Sequence, residues 1–219
     1  MRLMRSFEEF IFEAASWLLF YPLMLWRVVT QPLTTMRYSD AEQAEAPDGR
    51  YDDALSPPLF LLITVVLVNI IAAGLHPPAE AQTSDLSRAI LGSPQTLALF
   101  RSLVFSLIPL VAAAKMLRLR GRKLSRQTLQ PPFYAQCYLA APCAIVLSGG
   151  IALFHRADVS NLAAAIVLLT GASWFLTVQT RWFAHSLEIA WPRAAMIAVW
   201  ALVQALAYLL VLLIPIALI

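Results

Sequence analysis

Charged residues are scarce in this chain of 219 residues. They make up 13% of the sequence, whereas hydrophobic residues make up 60%. Soluble globular domains carry about 25% charged residues. This deficit excludes a water-soluble globule, so a lipid bilayer must be the solvent for most of the fold.

Cysteine and histidine are also few. Cys137 and Cys143 lie six residues apart in one apolar run, which puts them on different faces of a helix with 3.6 residues per turn. The histidines, His76, His155 and His185, are scattered at the ends of apolar runs or between them. Together with the lack of a glycine-rich phosphate loop, this pattern predicts no disulfide, no metal site and no cofactor.

The basic residues that are present concentrate in residues 115–126, between two apolar runs and without an acidic residue. Such a loop is retained in the cytoplasm. Aromatic residues do not alternate with its basic ones, so we expect contact with anionic lipid headgroups and not with nucleic acid. The basic residues of this loop are Lys115, Arg118, Arg120, Arg122, Lys123 and Arg126.

Several apolar runs are long enough to span a bilayer, and they predict an all-α polytopic bundle of five transmembrane helices. Loops rich and poor in Lys and Arg alternate along the chain, which predicts a cytoplasmic N-terminus and an external C-terminus. The abundance of Arg and Ala suggests a bacterial cytoplasmic membrane. The five runs are Pro58–His76, Thr96–Ala114, Phe133–Phe154, Leu162–Val178 and Ala194–Ile219.

Two segments precede this transmembrane domain of residues 58–219. In residues 1–33 the longest uncharged stretch is about 20 Å as a helix, against a hydrocarbon core of about 30 Å. We therefore expect an amphipathic helix in the cytoplasmic interface, bent near Pro22; if it spanned instead, Met1 would lie outside. Residues 34–57 are acidic and contain Pro47 and Gly49, which predicts a solvated cytoplasmic linker.

Four polar residues within the spans are the candidate functional residues: Arg101, Asn69, Gln136 and Gln204. Arg101 lies near the outer end of its span, so its guanidinium can reach the interface or bind an anionic group. The three amides can hydrogen-bond between helices, at about 0.6 kcal/mol per contact, or can line a path.

A catalytic set is not expected. Gly171-Ala-Ser173 resembles the Gly-x-Ser of rhomboid-type intramembrane proteases, with His185 following. On a continuous helix, however, Ser173 and His185 would be about 18 Å apart, and a base must lie within about 3 Å of its nucleophile.

Residues 52–60 read Asp-Asp-Ala-Leu-Ser-Pro-Pro-Leu-Phe, and residues 133–142 contain Tyr134, Tyr138 and Pro142. The first stretch resembles the Asp-Leu-Tyr-Gly-Pro sequence of the YIP family of Rab-interacting membrane proteins, and the second is similar to the start of a later span in that family. The resemblance implies five spans, a cytoplasmic N-terminus and a non-enzymatic scaffold or adaptor.

The sequence thus favours a non-enzymatic membrane adaptor or accessory subunit, acting through its N-terminal helix and acidic segment with a protein partner or as a homo-oligomer. The alternative is a transporter, permease or channel for a small molecule or lipid, alone or as an oligomer. In that case Arg101, Asn69 and Gln204 would line the path.

Overall fold

The structure, a computed structural model, describes residues 2–45, 50–51, 53–75, 94–154, 156 and 158–217. This described part is helical, which confirms the all-α class. Its seven helices are α1 (Arg2–Thr30), α2 (Pro32–Glu42), α3 (Pro57–Leu75), α4 (Pro94–Leu119), α5 (Arg126–Phe154), α6 (Asn161–Leu187) and α7 (Trp191–Ala217).

Four of these helices are long and apolar enough to cross a membrane: Ser102–Leu119 of α4, all of α5 and α6, and Trp191–Val211 of α7. The first predicted span is helical too, as α3, but its apolar stretch in the described part, Pro57–Ile71, is shorter. His76 and the end of the fifth predicted run lie outside the described residues. The membrane class is therefore supported, and the count of five spans stays a prediction.

Short polar signals set the helix ends. Pro32, Pro57 and Pro94 each occupy the first position of a helix, where the missing N–H costs nothing. Ser160 caps α6 by accepting a hydrogen bond from the N–H of Ala163 at 3.2 Å. Gly121, in the left-handed region at φ 66°, ends α4 and is the residue type that this conformation favours.

The four long helices pack in a closed ring, in which α4 contacts α5, α5 contacts α6, α6 contacts α7 and α7 returns to α4. Outside the ring, α2 and α3 both pack against α5. All side chains from Ala135 to Ala144 are consequently buried. The central helix of the molecule is therefore α5.

Two apolar clusters share this central helix. The first fills the ring and includes Ile108, Leu139, Phe175 and Ala198, from α4, α5, α6 and α7 respectively. The second packs α1 and α3 against the other side of α5 and includes Met24, Val28, Phe60, Leu61 and Tyr138.

The acidic segment differs from its predicted form. Residues 34–57 were expected to be a solvated linker, but Pro32–Glu42 forms α2 and buries Thr35, Met36 and Ser39. Met36 joins the apolar cluster inside the ring. The expectation rested on net charge, whereas three side chains on one helical face are sufficient to dock a short helix.

The N-terminal helix α1 runs through Pro22 without interruption. Met24 and Val28 are buried against the bundle, while Leu19 and Trp26 are 71% and 69% exposed. A helix with apolar side chains on its outer face is suited to lipid contact.

Candidate functional site at the basic end

Among the described residues, many hydrogen-bonded polar side chains lie at one end of the bundle, and we call it the basic end. It consists of α2 with residues 50–51 and 53–56, the α4–α5 loop at residues 120–125, and the end of α6 with the turn to α7 at residues 186–190. Arg120 joins two of these parts, because its guanidinium donates from Nη2 and Nε to the carbonyl of Ser186 at 3.0 and 3.3 Å.

The basic loop lies on the outside of this end. Of the six residues predicted to meet anionic headgroups, Lys115 is half-buried and the other five are exposed. The loop turns at Gly121, where the N–H of Arg122 donates to the carbonyl of Leu117 at 3.1 Å. Its charges are therefore available to a lipid surface or to a protein partner.

A group of aromatic side chains, the tyrosine cluster, holds the acidic segment on α5. It consists of Tyr38, Tyr51, Tyr134 and Tyr138. Tyr38 donates its hydroxyl to Asp53 Oδ1 at 2.6 Å. The Tyr38 and Tyr51 rings meet edge to face at 6.2 Å, and the Tyr51 ring lies 6.4 Å from that of Tyr134.

Tyr51 is the most constrained member of the cluster. Its backbone is in the left-handed region at φ 61°, which non-glycine residues adopt only when their surroundings hold them there. Gln43 Nε2 donates to the Tyr51 hydroxyl at 3.1 Å, and Ser39 Oγ lies at the same distance from it. The Tyr51 N–H donates to the carboxylate of Glu42.

Tyr138 connects the same region to the start of α3. Its buried hydroxyl donates to the carbonyl of Leu55 at 2.7 Å, and its ring lies 5.7 Å from that of Phe60. The two stretches that resemble the YIP sequences, residues 52–60 and 133–142, are therefore in direct contact. Sequence alone gave no sign of that contact.

Burial changes the acidity of this segment. Burial, with the hydrogen bond to Asp53, raises the pKa of Tyr38 above its ordinary value, and burial also raises the pKa of Tyr51. Both side chains are thus neutral hydrogen-bonding groups at neutral pH. Burial raises the pKa of Asp40 to about 6, against the opposing effect of the Arg120 charge.

The three candidate residues of the spans whose side chains are described, Asn69, Gln136 and Gln204, are not brought together. Asn69 lies on α3, which packs on α5 and α4, whereas Gln204 lies on α7, which packs on α6 and α4. Gln136 is 1% exposed in the first half of α5. Arg101 lies in α4, and its side chain is outside the described part.

The sequence did not identify two buried polar residues of α6, Gln179 and Trp182. Gly150 packs closely against the side chain of Leu168, and Gly171 packs closely against that of Val146. These two contacts define the antiparallel register of α5 and α6. This register places Gln136 level with Trp182 and within about a turn of Gln179. The fourth predicted run ends near Val178, whereas the helix continues to Leu187.

Each of these three side chains has a buried polar atom without a hydrogen bond to any described residue. The atoms are Gln136 Nε2, Gln179 Oε1 and Trp182 Nε1, and Gln179 and Trp182 are each 2% exposed. Buried polar atoms of this kind are commonly satisfied by internal water. The group marks a polar level inside an otherwise apolar ring.

Ser173 and His185, the nucleophile and base considered from the sequence, lie on the same helix. Helix α6 is continuous from Ser173 to His185, so the two remain about 18 Å apart. The Ser173 hydroxyl donates to the carbonyl of Leu169 at 2.6 Å. The part of the chain that the structure describes holds no group of three His, Cys, Asp or Glu residues placed to bind a metal.

Comparison with protein-family models, with curated proteins and with solved structures gave no match to the chain. The class of the protein therefore follows from its own helices. It is an all-helical integral membrane protein with four apolar helices of spanning length.

Proposed function

We propose that the protein is a non-enzymatic adaptor or accessory subunit of a membrane complex, of YIP-like type. Its partner would bind the basic end, on the surface formed by α2 and the tyrosine cluster. The observation that carries this proposal is the docking of the acidic segment on α5, which converts a flexible linker into a fixed polar surface.

The outward side of α2 supports this proposal. Thr35, Met36 and Ser39 are buried, and Thr34, Arg37 and Ala41 are exposed at helical spacing on the opposite side. Hydrogen bonds of Asp53 and Tyr51 hold the segment that follows α2. A surface with a fixed conformation loses less entropy when it binds a partner than a disordered linker does.

The orientation belongs to the same proposal. The basic end would face the cytoplasm of a bacterial cell, with the N-terminus on that side and the C-terminus outside, because the residues of the α4–α5 loop resist translocation. The partner would then be cytoplasmic, or a second membrane protein with a cytoplasmic face.

Transport is the weaker alternative. It needs the polar residues of the spans to form one path. Asn69, however, lies on α3, which packs mainly on α5, whereas Gln204 lies on α7, which packs on α6 and α4. The polar level at Gln136, Gln179 and Trp182 lies between tightly packed helices. We therefore place the adaptor function first.

Site-specific photo-crosslinking in native membranes tests the adaptor function. A crosslinking amino acid at Thr34 or Arg37 of the full-length chain should capture the same protein partner. The matched control is Leu169, which is 67% exposed on the outer face of α6 and should capture none.

A further variant checks the fixed surface. Asp53→Asn weakens the hydrogen bond from Tyr38, so crosslinking from Arg37 should fall while the protein level stays constant. Equal products from Thr34, Arg37 and Leu169, or no protein product from α2, would refute the proposed binding surface.

A further inference from the structure

A groove runs along the outside of the ring where α4 meets α7. Its volume is about 180 Å³, and on α4 its lining extends from Leu107 to Arg118, toward the basic end. The α4 wall is apolar along one stretch and basic at its end, and the α7 wall contributes an amide and a phenol. The lining residues are Leu107, Leu110, Val111, Ala114, Lys115, Arg118, Gln204 and Tyr208.

Two cations, Lys115 and Arg118, line the end of this groove nearest the basic end. Lys115 Nζ lies 5.9 Å from the centre of the Trp200 ring, and this contact holds the ammonium beside α7. Arg118 follows one turn along α4 and is exposed. Within the described residues the only ion pair is Arg156–Asp158, so neither cation has a carboxylate partner there.

The polar side chains deeper in the groove have spare hydrogen-bonding capacity. Gln204 Nε2 donates to the Tyr208 hydroxyl at 2.6 Å, which leaves the phenol proton free to donate elsewhere. Gln204 Oε1 is buried and has no hydrogen-bond partner in the part of the chain that the structure describes. Gln204 is one turn further from the basic end than Trp200, about 6 Å by helix rise.

We propose that this groove binds one anionic phospholipid. Lys115 and Arg118 would hold its phosphate, the Tyr208 hydroxyl would donate to an ester carbonyl, and one acyl chain would lie along Leu110 and Val111. Basic pockets between transmembrane helices bind anionic headgroups in this way. The volume is below the 300 Å³ or so of pockets for drug-sized ligands, so the groove suits part of a chain.

Native mass spectrometry of the purified full-length protein tests the proposal. The probes are phosphatidylglycerol and phosphatidylcholine with identical acyl chains. We expect one phosphatidylglycerol per chain at a concentration that leaves phosphatidylcholine unbound. Equal retention of the two lipids would overturn recognition of the headgroup charge.

The double variant Lys115→Gln/Arg118→Gln should weaken phosphatidylglycerol binding about 100-fold, since each direct hydrogen bond from a charged group to the phosphate contributes about a tenfold factor. The matched control is Arg122→Gln/Lys123→Gln, which removes the same charge from the exposed loop outside the groove. Its affinity should stay close to that of the wild type. An equal loss in both variants would overturn the groove in favour of diffuse attraction.

Ala114→Phe provides an independent check, because it fills the apolar part of the groove and leaves every charge in place. The bound lipid should be lost, with the helical circular dichroism unchanged. Lipid retained at wild-type affinity in this variant would overturn the proposed chain site. This inference does not depend on the adaptor function, which crosslinking from α2 tests separately.

Discussion

Gly171 is the position where a single methyl group should test the packing of the ring. A Cβ atom at Gly171 would overlap Val146 Cγ1 and would lie 3.0 Å from Val146 Cβ. Rotation of the Val146 side chain cannot relieve the second contact, because the backbone fixes Cβ. In Gly171→Ala, helices α5 and α6 must therefore move apart.

The loss of stability caused by Gly171→Ala is estimated by a matched comparison with Gly149→Ala. Gly149 lies in α5, and no packing atom of the described residues lies within 4 Å of its added Cβ atom. Both changes gain the same helix propensity, up to about 1 kcal/mol, so their difference isolates the contact. Overpacking costs about 1–3 kcal/mol, and we expect Gly171→Ala to be less stable than Gly149→Ala by that amount.

The assay is unfolding of the full-length protein in mixed micelles of increasing SDS content, followed by tryptophan fluorescence. Val146→Ala removes the overlapping methyl group, so the double variant with Gly171→Ala should recover about 1 kcal/mol or more relative to additivity. Equal stability of Gly171→Ala and Gly149→Ala, or no recovery in the double variant, would refute the close approach of α5 and α6.

Three further predictions concern the basic end and the central helix. Tyr138→Phe leaves the buried Leu55 carbonyl without its donor and should cost about 1–3 kcal/mol in the same unfolding assay, with faster proteolysis of residues 45–56; unchanged cleavage would contradict the anchoring role. The folded state raises the pKa of Asp40 from 3.8 to about 6, so it binds the proton more tightly than the unfolded state does. Thermal stability should therefore fall as the pH rises from about 4 to 6, and Asp40→Asn should flatten this profile; an unchanged profile would assign the dependence to another group. Cys137 and Cys143 are free and buried, so maleimide should modify them only on unfolding, and rapid modification of the native protein would count against their burial in α5.

Hydropathy was sufficient to place the helices, because exclusion from water depends on composition over about 20 residues. The predicted runs at Thr96–Ala114 and Leu162–Val178 both lie within observed helices, although α6 continues to Leu187. Gln179 and Trp182 were missed for this reason. The net charge of the acidic segment did not predict α2. Asp40 and Glu42 lie in the same short helix as the buried side chain of Met36.

The candidate residues also separate what could be predicted from the sequence from what depends on tertiary packing. Gln136 is predicted from the sequence to lie inside a span, and it lies in α5, but its burial depends on the packing of α2, α3, α4 and α6 around that helix. In the transport alternative, Gln204 would share a path with Asn69. It instead pairs with Tyr208 at a groove on the outer side of the ring.

Local composition is sufficient to predict an all-helical membrane protein with a strongly basic loop. The central position of α5, the docking of the acidic segment on it, and the contact of Tyr138 with Leu55 across 83 positions of the chain depend instead on the tertiary structure. In a bilayer, side chains that face lipid and side chains that face other helices are equally apolar, so periodicity does not reveal which face is buried. That choice is made by shape, through close contacts such as Gly171 with Val146, and by the few hydrogen bonds that join distant segments.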